Sequence, residues 1–309
     1  MGIAVVLGKI MWTVTACLSL GTVLLAASAH AELYYLIVGG IGGQPAYEDR
    51  FVTQTESLAS AARRTLGDES RVAVLSGEAA NREALTAELA RLADVTIDED
   101  SVAIFLLGHG SYDGEFYKYN LPGPDIDGDA FAELLGAIPA DRQLVVNATS
   151  ASGAVLESWA GEGRTLITAT RSGGERNATR FGEYWSAALS SDEADANKNG
   201  AITAQEAFEF AERKVSDSYE SAGTLATEHP QLVGDTAGSF NVALLDARIA
   251  TTAELEGLIG ELTVLEEEIE ILRSRRSEMD SDVYLGELQD LLLELALVQR
   301  EIDEIRSSE

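Results

Sequence analysis

The residues able to do chemistry in this chain stand where short apolar runs end. The run Val102 to Leu107 stops at Gly108-His109-Gly110. Two glycines around one histidine let the backbone turn sharply and leave the imidazole with little bulk beside it. A second run, Leu144 to Val146, passes into Ala148-Thr149-Ser150-Ala151-Ser152-Gly153 and then an apparent helix. If the two runs are neighbouring parallel strands, His109 and Ser150 face each other across one crevice. A hydroxyl beside an imidazole pairs a nucleophile with a general base, and a serine needs that base because its hydroxyl is far less acidic than a thiol. Spacing assigns no carboxylate to orient the ring; Asp113 is near His109 only in sequence. The competing reading of His109 is a structural loop histidine.

A second constellation is Asp195 to Glu206, DANKNGAITAQE. Asp195, Asn197 and Asn199 offer alternate side-chain oxygens, and Gly200 permits a sharp turn. Ala201 offers its carbonyl, Ile202 is an apolar anchor, Thr203 takes the ninth place and Glu206 closes the loop. This is the EF-hand spacing, and an all-oxygen set suits Ca²⁺. Two loop carboxylates predict weak affinity, on the order of 10⁻⁴–10⁻³ M. The alternative is an Asx-rich turn capping the next helix. Helices are expected over 181–190 and 205–219, and no second loop of this kind is present, although such loops usually work in pairs.

These groups need elements to hold them. The runs 33–38, 71–75, 102–107, 144–146 and 166–169 are short, apolar and bounded by polar segments, the pattern of buried parallel strands. Helical stretches near 48–66, 81–92 and 129–137 alternate with them, so the fold class is α/β, a mostly parallel sheet with helices on both faces. Ligands of such sheets collect at the strands' carboxyl edge. Four strand ends converge there, carrying Gly39 to Gly43, His109, Ser150 and Thr170-Arg171. Residues 112–124 are expected as a long loop and 241–245 as a last strand. His229, kept out of helix by Pro230, is assigned a structural role.

His109-Gly110 after one strand and Ser150 with Ser152-Gly153 after the next resemble the caspase and legumain superfamily of cysteine peptidases, including its C13-type members, over roughly residues 33–245. Those proteins place a His-Gly pair after one strand and an Ala-Cys-x-Ser-Gly type block after the following one. Ser150 stands where their nucleophilic cysteine belongs. The resemblance implies a caspase-like fold and an oxyanion hole from the N–H groups of Gly110 and Ser150. It also implies that the loop after the 166–169 strand lines a substrate pocket, with Arg171, Arg176 and Asn177 gripping an acidic or polar side chain.

Composition bounds the partners. The chain has 309 residues, 46% hydrophobic, enough for one sizeable domain with appendages. With 52 acidic against 22 basic residues its net charge is −30, which excludes nucleic acid and disfavours an anionic membrane surface. Lys9, the apolar run Ile10 to Ala27 and Ala29-His30-Ala31 make residues 1–31 a secretory signal. The mature protein is then exported, periplasmic or secreted. Val14-Thr15-Ala16-Cys17 also loosely fits a lipobox, so the alternative is a lipid- or signal-anchored protein. Cys17 is the sole cysteine and leaves with the signal, so the mature chain has no disulfide and no thiolate metal site.

Beyond the α/β domain, 32–249, the composition changes. Leu255, Leu258, Leu262, Leu265, Ile269 and Leu272 follow three-four spacing, a coiled-coil seam. A second apolar helix carries Leu288, Leu292, Leu295 and Ile302. Residues 250–309 are expected to form an antiparallel helical hairpin turning near Asp280, a site of packing or self-association, with Leu291 and Leu297 left to dock on the core or a partner. Two functions of different class follow. One is a catalytically degenerate peptidase homologue acting as a calcium-binding, protein- or peptide-binding module. The other is an active serine-variant hydrolase with Ser150 as nucleophile and His109 as base.

Overall fold

The computed structural model describes residues 31–245, 253–276 and 279–308. The expected leader, with Cys17, and the junction at 249/250 lie outside the described residues. In chain order the elements are β1 (Leu33–Gly39), α1 (Pro45–Leu66), β2 (Val72–Leu75), α2 (Arg82–Val95), β3 (Ser101–Leu107), β4 (Gly110–Tyr112), β5 (Tyr117–Tyr119), β6 (Ile126–Asp127), α3 (Gly128–Gly136), β7 (Arg142–Asn147), β8 (Arg164–Thr168), α4 (Phe181–Ala188), β9 (Ala201–Thr203), α5 (Ala204–Ala222), β10 (Gln231–Val233), β11 (Asn241–Leu244), α6 (Ala253–Ser274) and α7 (Ser281–Ser308). Among the described residues no helix is long and apolar enough to cross a membrane.

The central sheet runs β10-β8-β7-β3-β1-β2. All neighbours pair in parallel except β10, which is antiparallel to β8. Both faces are covered, so the strands carry apolar residues at successive positions and still sort them by the two-residue period. Ala103, Phe105 and Leu107 of β3 point into one core with Leu58 of α1, Phe181 and Trp185 of α4, and Phe208 and Ala211 of α5. Val102, Ile104 and Leu106 point into the other with Leu85 and Leu89 of α2, Phe131 of α3 and Trp159. Each fully buried large side chain contributes about 1.5–3 kcal/mol by leaving water.

Helix ends follow local chemistry. Pro45 opens α1 at its first turn, and Asn81 caps α2 by accepting the Ala84 N–H at 3.0 Å. The start of α4 is held by a residue far along the chain. Glu228, 2% exposed, accepts the N–H groups of Arg180 (2.7 Å) and Phe181 (3.1 Å) and the Tyr219 hydroxyl (3.2 Å). Burial pushes its carboxyl above the usual range, against the opposing pull of those hydrogen bonds.

Two expectations are corrected. Residues 112–124 are not a long loop: β4, β5 and β6 form a small antiparallel sheet around buried Tyr117 and Tyr119. Strands of two or three residues are too short to show a period. The segment after Ser150 is a 3₁₀ turn, Ser152–Val155, rather than an α-helix, because it must pass directly over the β8 exit. β10 was not anticipated. The expected last strand is β11, which pairs with β9 outside the main sheet.

Helix α6 ends at Ser274 and α7 begins at Ser281, so the expected turn near Asp280 falls between them. Ile259, Leu262 and Leu265 join Val298 and Ile302 in a third apolar cluster, which takes in Ala201 of β9 and packs on Leu244 of β11. Leu291 packs on that cluster, whereas Leu297 is 43% exposed. Replacing Glu228 by Ala strands buried donors at the start of α4. We expect a loss of about 1–3 kcal/mol in urea unfolding, with Glu228→Gln retaining part of it.

Candidate functional site

The register of β3 with its neighbours brings three strand exits to one height. Leu107 lies opposite Gly39 of β1, and Leu106 opposite Asn147 of β7. Tyr119, buried beneath, ties two exits together by donating its hydroxyl to the carbonyls of Leu107 (2.7 Å) and Val38 (3.0 Å). β3 then turns out through Gly108 (φ 133°), and the His109 carbonyl is held by the Asn120 N–H at 3.0 Å.

The His109 ring meets two aromatic rings of α1 edge-on, with centroids 4.9 Å from Tyr47 and 5.2 Å from Phe51. A ring N–H donates to the Gly42 carbonyl, and the Gly42 N–H is itself held by Glu48 Oε2 at 2.9 Å. Burial pushes the His109 pKa down, the Gly42 hydrogen bond opposes that shift, and the nearby Arg50 charge adds to it. The net shift favours the neutral ring, the state in which an imidazole accepts a proton.

Ser150 is 3% exposed and sits against Gly110: a β-carbon at Gly110 would lie 2.4 Å from the Ser150 carbonyl oxygen and 2.6 Å from Thr149 Oγ1. Only glycine permits that approach. Below Ser150, Thr149 Oγ1 bonds the Tyr117 hydroxyl (2.6 Å) and Asn147 Oδ1 (2.8 Å). Ala151, which follows, is left-handed at φ 55°, and its N–H donates to the Glu175 carbonyl at 2.7 Å. A non-glycine residue in that conformation is strained by roughly 1–2 kcal/mol, and such strain collects at functional sites. Among the described residues, neither the Ser150 hydroxyl nor its N–H has a hydrogen-bond partner, and no hydrogen bond joins Ser150 to His109.

His109, Gly110 and Ser150 line one crevice of 510 Å³ with Tyr47, Gln44, Arg176 and Asn177. Arg171 does not: Glu175, four residues on, binds its guanidinium at 3.1 Å and draws it toward a second depression beside His229. His229 itself clamps Glu175, with Nδ1 at 2.5 Å from Oε1 and its N–H at 3.1 Å from Oε2. The Gly42 carbonyl, Tyr47 and Glu175 were missed in the sequence. A backbone acceptor has no residue signature, and Tyr47 and Phe51 gave only the i, i+4 spacing of any helix face.

The loop Asp195–Glu206 curls through two left-handed residues, Lys198 (φ 64°) and Gly200 (φ 81°). Asp195, 4% exposed, accepts the N–H groups of Asn199 (3.1 Å) and Gly200 (2.9 Å). Asn197 Oδ1 accepts from Asn199 N and Asn199 Oδ1 from Ala201 N. Glu206 accepts the N–H of Ala196 at 3.0 Å and that of Thr203 at 2.9 Å, closing the loop with a capping box on α5. Oxygens from Asp195, Asn197, Asn199 and Glu206 are thus held on one short loop. The entering helix departs from the expected span: α4 ends at Ala188, and turns fill the segment up to Asp195. Glu266 of α6 leans on the loop, and burial, together with the Glu206 and Asp195 charges, pushes its carboxyl up to about 7.

Neither a family model nor a curated protein matches this chain. Among solved structures it is similar to a protein of Geobacter sulfurreducens, at 14% identity and TM-score 0.42, over 67% of this chain and 95% of that one. It is also similar to caspase-1 from Spodoptera frugiperda (12%, TM-score 0.44, 66% and 86%) and to the Drosophila initiator caspase Dronc (9%, TM-score 0.37, 66% and 79%).

Because folded His109 holds a proton less readily than the unfolded chain, stability falls as the pH drops below the ordinary histidine value of about 6.5. NMR titration should place the His109 midpoint below that value, and Arg50→Gln should raise it. A midpoint above about 6.5 contradicts the buried setting described for the ring.

Proposed function

We propose that this chain is a caspase-like, catalytically degenerate homologue of the C13-type and legumain peptidases. Its sheet-edge crevice takes a protein or peptide segment, and its second half carries a weak Ca²⁺ site. One observation carries the binding reading. Ser150, at the nucleophile position, makes no hydrogen bond to His109 although both line the same crevice. A serine that is not handed to its base is a poor nucleophile, and loss of even the group that orients the base costs such sites roughly 10⁴ in rate. Arg176 and Asn177 at the rim offer donors to an acidic or polar side chain of the bound segment.

The serine-hydrolase reading keeps support from a different observation. The Gly42 carbonyl bonds the His109 ring, which supplies an orienting group where no carboxylate does, and the Ser150 N–H, without a partner among the described residues, is left as an oxyanion donor. In that reading His109 takes the Ser150 proton as the hydroxyl oxygen adds to an acyl carbon, the carbonyl becomes the oxyanion, and its collapse expels the leaving group, to which His109 gives the proton. A fluorophosphonate probe decides between the two. The binding reading expects no labelling of wild type beyond that of Ser150→Ala. Stoichiometric labelling abolished by Ser150→Ala establishes the hydrolase.

For the cation, Asp195, Asn197, Asn199, Thr203 and Glu206 with the Ala201 carbonyl would hold Ca²⁺, supplying hard oxygen ligands only. The leader reading puts the protein outside the cytoplasm, where a weak site is filled. Calcium at about ten times Kd should stabilise the fold by about 1.4 kcal/mol, seen as a higher melting midpoint, and Asp195→Asn should remove the shift. An unchanged midpoint with no calorimetric heat leaves the loop as an Asx turn.

A further inference from the structure

Helix α7 is apolar on two sides, and only one of them is covered. Leu291, Leu295, Val298 and Ile302 follow four-three-four spacing and lie in or on the third apolar cluster, which they share with α6. On the surface left over, Val283, Leu285, Leu292, Leu293 and Leu297 are each 43–60% exposed. A helix that faces only water carries polar and charged residues opposite its buried stripe. Here Glu287, Glu294 and Glu301 form one row at seven-residue spacing. Each stands four residues before Leu291, Val298 or Ile305, so the row borders the buried side. From Val283 to Arg300 the rest of the exposed surface carries two charges, Asp290 and Arg300. A contiguous apolar surface of this kind marks a contact.

The pattern also says what makes the contact. Gly286, Gln289, Leu293, Ala296 and Arg300 are all exposed and recur at three-four spacing, the spacing of a seam between helices. Leu292 and Leu297 flank that seam. A chain of net charge −30 repels a second copy over most of its surface, but this strip is nearly neutral and the acidic row stands off it. The strip is also self-complementary. Two α7 helices crossing antiparallel at the level of Leu295 set Leu293 against the partner's Ala296 and the partner's Leu297. The same crossing sets Asp290 against the partner's Arg300, and the twofold repeats each contact. A parallel pair stacks aspartate on aspartate and arginine on arginine, which repel. Arg300 has a contact within its own chain as well, and a guanidinium with five N–H donors can serve both. A lipid surface suits the face less, because helices that lie on membranes carry Lys and Arg beside the apolar side, and here that border is glutamate.

We propose that α7 pairs with α7 of a second copy, antiparallel and centred on Leu293 and Ala296, so that the protein is a reversible dimer joined through its C-terminal hairpins. The seam is short, so the dimer should grow over roughly 1–100 μM, in the manner of small, weak interfaces.

Sedimentation equilibrium of the mature chain, residues 32–309, over that range tests this. Wild type should approach twice the chain mass. Leu293→Glu, at an exposed position, should remain at the chain mass with an unchanged melting midpoint. Asp290→Arg, which faces the partner's Arg300, should weaken the dimer by about tenfold. Glu294→Arg, the same change of charge on the acidic row, should not, and so separates position from net charge. Wild type at the chain mass throughout overturns the proposal, and flotation of that monomer with phosphatidylcholine vesicles would then assign the face to lipid. A dimer that Leu293→Glu leaves intact is joined through another surface and overturns it as well. A dimer lost in Leu293→Glu but indifferent to Asp290→Arg overturns the antiparallel pairing.

Discussion

The site depends on one strand having parallel partners on both sides. β3 pairs with β1 and β7 in continuous register, with seven and six aligned positions. A parallel ladder points all three strands the same way, so their exits share an edge without any long-range instruction. The apolar residues on both faces fix that register, since a slip by one residue exchanges the two faces. His109 and Ser150 are neighbours because Phe105 and Ile104 each have a core to enter.

That constraint places residues but does not activate them. The crevice is built from backbone as much as from side chains: the Gly42 carbonyl turns the imidazole, and the Glu175 carbonyl holds the strained Ala151. Gly110 makes room for the Ser150 carbonyl. Backbone groups carry no net charge and do not titrate, so the ring's protonation is set mainly by burial. A carboxylate in the same role would favour the imidazolium that forms on proton transfer. A carbonyl in that place provides orientation without that charge stabilisation.

The five parallel strands of the main sheet were legible because buried parallel strands are short, apolar and sharply bounded, and the edge that carries His109 and Ser150 followed from that pattern. What escaped had no pattern to show. β5 and β10 have three residues each, below any period. The turn after Ser150 carries Ala154, Val155 and Leu156, a run that suits a helix until the β8 exit is placed beneath it. Arg171, Arg176 and Asn177 looked equivalent in sequence, and only Glu175 distinguishes them, by capturing the first. The turn within 195–206 was legible because Asp, Asn and Gly at alternate positions are the types that bond backbone N–H groups and allow left-handed residues. Glu266 was not, because its relation to the loop exists only in three dimensions.

A single loop of this kind lacks the partner that usually steadies it, and this chain supplies a substitute from two directions. β9 finds its ladder partner in β11, a strand that follows α5 instead of belonging to a second loop. The far side of β9 rests on α6 and α7 through Ala201. The result is a loop whose conformation is shared between the α/β core and the hairpin, with the Tyr35 hydroxyl holding the Val242 carbonyl of β11 from within the main sheet at 2.9 Å. Distortion at the loop must therefore be felt on both sides of β9. The crevice has a separate support, since the loop carrying Arg176 and Asn177 is braced through Glu175 by His229, and His229 stands in the connection between α5 and β10. α5 is the element common to both: its first turn closes the loop through Glu206, and the residues after its last turn hold Glu175.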